Sequence, residues 1–250
     1  MPDIHWTCSG RTDRGRLRNH NEDSILIDPI LGLAILADGL GGYNAGEIAS
    51  SLAVDTIHSF IASGLKSTSI QQIGPDARED LLCEAVKQAN QAIIAHAVAP
   101  GCAGMSTTVV ATLFTHDRLH AAHMGDSRLY RYRDLSLTQL TRDHSLHQEL
   151  ISRGLMSSEE AGRLDHRNII TRALGMEAKF EIDVMTQTVL PGDLYLLCSD
   201  GLYDMLSSSQ IEDYVSQYRD QPDRLTQVLT EAANAQGGKD NISVIVLSAA

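Results

Sequence analysis

At 250 residues, 43% hydrophobic and 21% charged, the chain can bury a proper core and suits one domain over 1–250 better than two small ones. Its net charge of −12 excludes general binding to nucleic acid, whose phosphates demand basic surface. No apolar run approaches a membrane span, and Met1-Pro2-Asp3-Ile4-His5 lacks the basic and apolar regions of a signal peptide. Cys8, Cys83, Cys102 and Cys198 form no CxxC pair and read as reduced, buried side chains of a cytoplasmic protein. A monomer is the expected state.

Strand character appears first at 24–27 and 33–37. Two amphipathic helices follow, opened by Asn44-x-x-Glu47 and Asp76-x-x-Glu79, both with the form of a capping box; the polar stretch 63–75 between them reads as a loop. Strands are predicted at 107–115, 119–124 and 129–133. Short helices follow Ser145-x-x-Gln148 and Ser157-x-x-Glu160, then come strands at 180–189 and 193–198. Ser207-x-x-Gln210 opens another helix. Pro222 begins the last one, closed by Gly237-Gly238, and a strand at 242–247 ends the series. Short turns at His116-Asp117, Gly125-Asp126-Ser127 and Leu190-Pro191-Gly192-Asp193 predict antiparallel pairing across each. Strands and helices cluster rather than alternate, so the reading is α+β: two antiparallel sheets with helix pairs on the outer faces, a four-layer αββα sandwich.

Five aspartates fall on turns or strand ends: Asp23, Asp38, Asp126, Asp200 and Asp240. Four of them lie at or near glycine, in Asp38-Gly39, Gly125-Asp126, Asp200-Gly201 and Gly238-Lys239-Asp240, where the backbone can turn sharply or approach a ligand closely. Each alone is ordinary turn or cap chemistry. Gathered, they repel and resist desolvation unless a cation compensates them. Oxygen ligands without His or Cys favour magnesium, manganese or calcium over zinc.

Taken in order, RNHNED, ADGLGG, GMSTT, GDSRLY, LTRDHS, RNIITRALG, CSDGLYDML and GGKDNIS resemble the metal-dependent protein phosphatases (the PPM or type 2C Ser/Thr phosphatases) of compact bacterial type. The resemblance runs from about Gly10 to Leu247. It implies hydrolysis of phosphoserine and phosphothreonine in proteins by a water bridging two Mg²⁺ or Mn²⁺ ions, without a covalent enzyme intermediate. It implies that Asp38 bridges the two ions, that Gly39 ligates one through its carbonyl, and that Asp200 and Asp240 hold the first. Asp23 and Glu22 would lie near the metals, partly through water, and Asn241 would support them. Asp126 matches the position that, with Asp200, holds a third and weaker ion, and Arg18 matches the phosphate-binding arginine. The segment from about Asp143 to 175 corresponds to a flap beside the site.

One departure concerns the general acid. Relatives carry a histidine directly after DGxGG or after DG; this chain has Tyr43 and Leu40 there, so the general acid stays unassigned. Two other readings compete: a phosphoprotein-binding module that keeps the fold without activity, and a hydrolase of small phosphoesters. The first is disfavoured because none of the expected aspartates is missing.

Overall fold

The computed structural model describes residues 4–41, 45–66, 68–157, 169–177 and 180–250. β1 (Trp6–Asp13), β2 (Asp23–Asp28) and β3 (Leu33–Leu40) precede two long helices, α1 (Ala45–Gly64) and α2 (Pro75–His96). Next come β4 (Ser106–Thr107), β5 (Val109–Phe114), β6 (Arg118–Met124), β7 (Arg128–Arg133), β8 (Ser136–Gln139) and the short α3 (Leu146–Ser152). β9 (Asp183–Thr188) and β10 (Leu194–Cys198) lead to α4 (Asp200–Tyr203), α5 (Ser208–Tyr218), α6 (Pro222–Ala235) and the final β11 (Ile242–Ala249).

Two antiparallel sheets result, ordered β1-β11-β10-β7-β8 and β2-β3-β5-β6-β9, with β4 paired to β3. The side-chain period of two sorts each central strand between two cores. Leu33, Ile35 and Ala37 of β3 face α1 and α2, whereas Ala34 and Leu36 face the other sheet. Leu194, Leu196 and Cys198 of β10 face α5 and α6, and Tyr195 and Leu197 point inward. Burial on both faces explains why these strands read as unbroken apolar runs. The four-layer α+β sandwich is the architecture the sequence predicted. No helix of the described residues is long and apolar enough to cross a membrane.

Two of the three short turns do not make hairpins. His116-Asp117 does join paired strands, β5 and β6. Gly125-Asp126-Ser127 instead carries the chain from β6 in one sheet to β7 in the other, and residues 190–193 carry it from β9 to β10 in the same way. Three extended residues span about 10 Å, which is also the spacing of stacked sheets, so turn length alone cannot separate hairpin from crossing. The crossing places Asp126 at the edge of the sandwich.

Helix starts are corrected in one case. α2 begins at Pro75 with Gly74 as an uncapped N-cap, since proline has no N–H to satisfy and a preset φ; Asp76 then lies in the first turn, where its charge complements the helix dipole. Ser207 and Gln210 form the full reciprocal capping box and Ser145 caps α3. Asn44 and the Ser157-x-x-Glu160 helix start fall on or run into residues outside those described. β1 and β8 were not anticipated: both are largely exposed edge strands without an apolar run to betray them.

Candidate metal centre

Asp23 and Asp38 are register partners on β2 and β3, so their side chains leave the same face of the sheet. Like charges directly opposite destabilise a sheet, and both carboxyls are raised, first by burial; the backbone around the pair is firmly held. The Asp38 N–H donates to Thr108 Oγ1 (3.0 Å), and its carbonyl accepts from the Thr108 N–H (2.9 Å) and Thr107 Oγ1 (2.8 Å). Gly39 follows, donating its N–H to the Glu22 carbonyl at 3.1 Å. A Cβ at Gly39 would lie 2.1 Å from the Gly46 carbonyl oxygen, so only glycine lets β3 meet the start of α1.

The remaining carboxylates arrive from three other segments. Asp200 opens α4 directly after β10. Asp240 precedes β11 and accepts from Arg18 Nη2 at 2.6 Å. Asn241 ties three segments together: its Oδ1 accepts from the Glu22 N–H (2.8 Å), and its Nδ2 donates to the carbonyls of Arg14 and His20 (2.9 Å each). Asp126 sits on the inter-sheet crossing, its carbonyl accepting from the Tyr203 hydroxyl at 3.0 Å.

The electrostatics show that the five aspartates share one region. Burial, then the charges of Asp23, Asp200, Asp126 and Asp240, push the Asp38 carboxyl well above the usual range. Burial, then Asp126, Asp240 and Asp204, do the same to Asp200. Burial raises Asp23 to about 6 against the opposing hydrogen bonds of Ser243 and Ser199. Burial and Asp143 raise Asp126 to about 6. Burial also raises Glu22. One oxygen of Asp23 takes a hydrogen bond from Ser199 Oγ at 2.8 Å; the other, Oδ1, is buried without a partner.

A hard divalent cation fits this donor set. It would neutralise carboxylates that otherwise hold protons and give the orphaned Asp23 oxygen an electrostatic partner. The carboxylates surround a space rather than a point. Among the described residues, only His123, His144 and Asp183 present three ligand atoms all within 4.8 Å of one another, so a single ion cannot satisfy the aspartates together. Asp38 is the carboxylate on which the charges of the other four act together.

The structure thus brings Arg18, Glu22, Asp23, Asp38, Gly39, Asp126, Asp200, Asp240 and Asn241 to one end of the sandwich. Tyr43 lies outside the described residues. Sequence reasoning missed Ser199, Ser243, Thr107 and Thr108, which hold the carboxylates or their backbone. Ser199 and Ser243 lie within CSDGLYDML and GGKDNIS, and Thr107 and Thr108 within GMSTT.

Comparisons with known proteins identify the family. The profile of the protein phosphatase 2C family matches residues 16–239. The serine/threonine phosphatase Stp of Listeria welshimeri is 36% identical over 244 residues, covering 95% of this chain and 93% of the relative. The Streptococcus agalactiae serine/threonine phosphatase superposes with a TM-score of 0.89 at 33% identity, over 98% of this chain and 99% of that one. The catalytic domain of the phosphatase PstP, solved with two manganese ions, gives a TM-score of 0.83 at 35% identity, over 98% and 99% of the two chains. This chain belongs to the protein phosphatase 2C family of metal-dependent serine/threonine phosphatases.

Proposed function

We infer that this protein removes phosphate from phosphoserine and phosphothreonine side chains of proteins in a Mg²⁺- or Mn²⁺-dependent reaction. The observation that carries the reading is the convergence of five aspartates around Asp38, with the carboxyls of Asp23, Asp38, Asp126 and Asp200 raised by burial and by neighbouring carboxylates. Family membership and the two manganese ions in a relative of the same fold support it.

Asp38, the Gly39 carbonyl, Asp200 and Asp240 would hold the inner pair of ions, with Asp23 and Glu22 close by, partly through water. Asp126 would hold a weaker outer ion together with Asp200. When bound, the ions lower the pKa of water between them and draw charge from the phosphoryl oxygens. The protein's own work is positional. Thr107 and Thr108 fix the Asp38 backbone, Ser199 orients Asp23, and Asn241 locks the Glu22 segment beside Asp240. Arg18, half exposed and paired with Asp240, is free to turn its planar guanidinium onto two oxygens of an incoming phosphoryl group. Cys198, two residues before Asp200, is poorly suited to act as a nucleophile: it is buried, with its thiol pushed up to about 12 by burial.

Of the segment 143–175, residues 143–157 and 169–175 would flank the substrate site, 158–168 lying outside the described residues, and the unit would act as a monomer in the cytoplasm. Four unpaired cysteines support a reducing compartment.

The test is turnover of p-nitrophenyl phosphate and of a phosphothreonine peptide by metal-stripped protein given Mn²⁺, Mg²⁺ or excess EDTA. Hydrolysis of the peptide that appears with metal and vanishes with chelator is expected. Hydrolysis of the aryl phosphate alone would transfer the reading to small phosphoesters. Silence on both substrates, in folded protein, would overturn it.

A further inference from the structure

Behind the Gly125-Asp126-Ser127 crossing lies a second polar set: His123, His144, Arg172 and Asp183. His123 and His144 are buried, with ring centroids 4.5 Å apart. His144 grips the Gly125 residue twice. Its Nδ1 accepts from the Gly125 N–H at 3.1 Å, and its own N–H donates to the Gly125 carbonyl at 2.8 Å. On the opposite side, Thr108 fills the space that a side chain at Gly125 would need: a Cβ there would lie 2.6 Å from the Thr108 side chain. Gly125 has φ +107°, a conformation that other residues rarely adopt. The residue immediately before Asp126 is therefore clamped from both sides.

The first hydrogen bond fixes the tautomer. A nitrogen that accepts carries no proton, so the neutral ring holds its proton on Nε2. Nε2 faces Asp183 Oδ2 at 3.1 Å, and Asp183 Oδ1 accepts from Arg172 Nη1 at 3.0 Å. A chain of donors and acceptors thus runs from the Gly125 peptide through His144 to Asp183 and Arg172. The His144 carbonyl also accepts from the Thr171 N–H at 2.8 Å, which joins the same residue to the far end of the 143–175 segment.

The spacing of His123, His144 and Asp183 would suit a transition metal, but the tautomer argues against one. A histidine ligand binds metal through one nitrogen and donates from the other. His144 accepts at Nδ1, so ligation through Nε2 would demand an imidazolate.

We propose that His144 is a positioning residue for the outer metal ion: its imidazole, held as the Nε2–H tautomer, fixes the Gly125 peptide and thereby the direction in which Asp126 presents its carboxylate. The proposal rests on Asp126 holding that ion. It assigns His144 no contact with substrate or metal.

Two isosteric variants separate the two ring nitrogens. In His144→Asn the amide oxygen falls near the position of Nδ1 and keeps the acceptor for Gly125. In His144→Gln the amide nitrogen reaches toward Nε2 and keeps the donor for Asp183, while the Gly125 N–H loses its partner. Metal-stripped protein is titrated with Mn²⁺ and bound ions are counted by electron paramagnetic resonance, beside the Mn²⁺ dependence of phosphopeptide turnover. The expected result is a weak-site Kd raised about tenfold or more in His144→Gln, tight sites unchanged, and affinity largely restored in His144→Asn. Equal behaviour of the two variants, whether both intact or both impaired, would overturn the proposal. Asp126→Asn is the reference: it should abolish the weak site, and if that site survives, the Asp126 assignment falls and the His144 proposal with it. Nitrogen-15 NMR of the wild-type ring tests the tautomer without any variant. A proton found on Nδ1, or loss of the Nε2 proton on adding Zn²⁺, would reject the strut.

Discussion

Two polar clusters lie side by side at this end of the sandwich, and they solve the problem of burying charge in opposite ways. Around α3 the carboxylates of Asp143, Glu149 and Asp183 each have a cation of the protein's own. Asp143 takes three hydrogen bonds from Arg128 at 2.7–3.1 Å. Asp183, though partly buried, is held below the usual carboxylate range by His144 and Arg172. Around Asp38 the same chain supplies hydroxyls, amides and more carboxylates, with Arg18 reaching only Asp240; Asp23, Asp38, Asp126 and Asp200 are all raised. The difference teaches which cluster is structural and which is a receptacle. The first is complete as folded, while the second, on the proposed function, is completed by cations from solution.

The strongest way to break this comparison is at Asp38, the carboxylate that all four other aspartates oppose. Asp38→Asn should lower kcat by about three orders of magnitude or more, the scale of removing a central electrostatic group. In EDTA the same variant should melt higher than wild type, because one unpaired buried charge is gone. A variant that kept most of its activity would refute the bridging role.

Metal addition is the next largest effect. Ions that bind only the folded state stabilise by about 2.7 kcal/mol at a hundredfold excess over Kd, or roughly 5–10 °C in Tm for a chain of this size. Thermal unfolding with millimolar Mn²⁺ should show that rise, and Asp38→Asn should lose most of it. Equal melting with Mn²⁺ and with EDTA would mean the aspartates are not a receptacle.

A pH experiment sharpens the contrast. The folded Asp126 carboxyl is raised to about 6, against about 3.9 when unfolded. A raised acid stabilises below its unfolded pKa, and that contribution disappears as pH climbs through the folded value. In EDTA, Asp126→Asn should therefore match wild type near pH 4 and exceed it above pH 6.5, by up to about 3 kcal/mol. Asp183 is lowered, so Asp183→Asn should show the reverse: its deficit against wild type is full above about pH 4 and shrinks as pH falls below that, through the folded pKa. Parallel curves for the two variants would erase the distinction between the clusters.

Arg18 offers a smaller effect with a clear split between function and stability. Its pair with Asp240 is half exposed, so Arg18→Ala should change stability by no more than about 1 kcal/mol. Loss of a bidentate phosphate ligand should lower kcat/KM about ten- to a hundredfold, with Arg18→Lys recovering only part. A large drop in Tm without a kinetic effect would make Arg18 a structural partner of Asp240.

Much of this was legible in the sequence. Strands buried on both faces, such as β3, β5, β10 and β11, announce themselves as apolar runs, and Asp38, Asp126 and Asp200 announce themselves through adjacent glycines. Less could be read where burial leaves no pattern. β1 carries Thr7, Ser9, Arg11 and Asp13 along an edge, and β8 is four mostly exposed residues. The crossings at 125–127 and 190–193 look like hairpins because a three- or four-residue link serves either purpose. Ser199 and Ser243 were hidden for another reason: serine near a strand end has many uses, and only the fold shows both beside Asp23.

Tyr203 provides the smallest effect and the finest distinction. Its ring lies under the Arg128 guanidinium, 3.5 Å from its centroid, and its hydroxyl donates to the Asp126 carbonyl. Tyr203→Phe keeps the ring and the cation–π contact and removes only that hydrogen bond, worth about 1 kcal/mol. Tm should fall by about 2–4 °C, and the outer ion should weaken by about fivefold or less. The loss should be smaller than in His144→Gln: a carbonyl has a second lone pair for another donor, whereas the Gly125 N–H has one proton and a buried surrounding. If Tyr203→Phe instead weakened the outer ion more than His144→Gln, Asp126 would be oriented from α4 and the Arg128–Asp143 pair, and the turn would be anchored by the opposite side of the molecule from the one argued here.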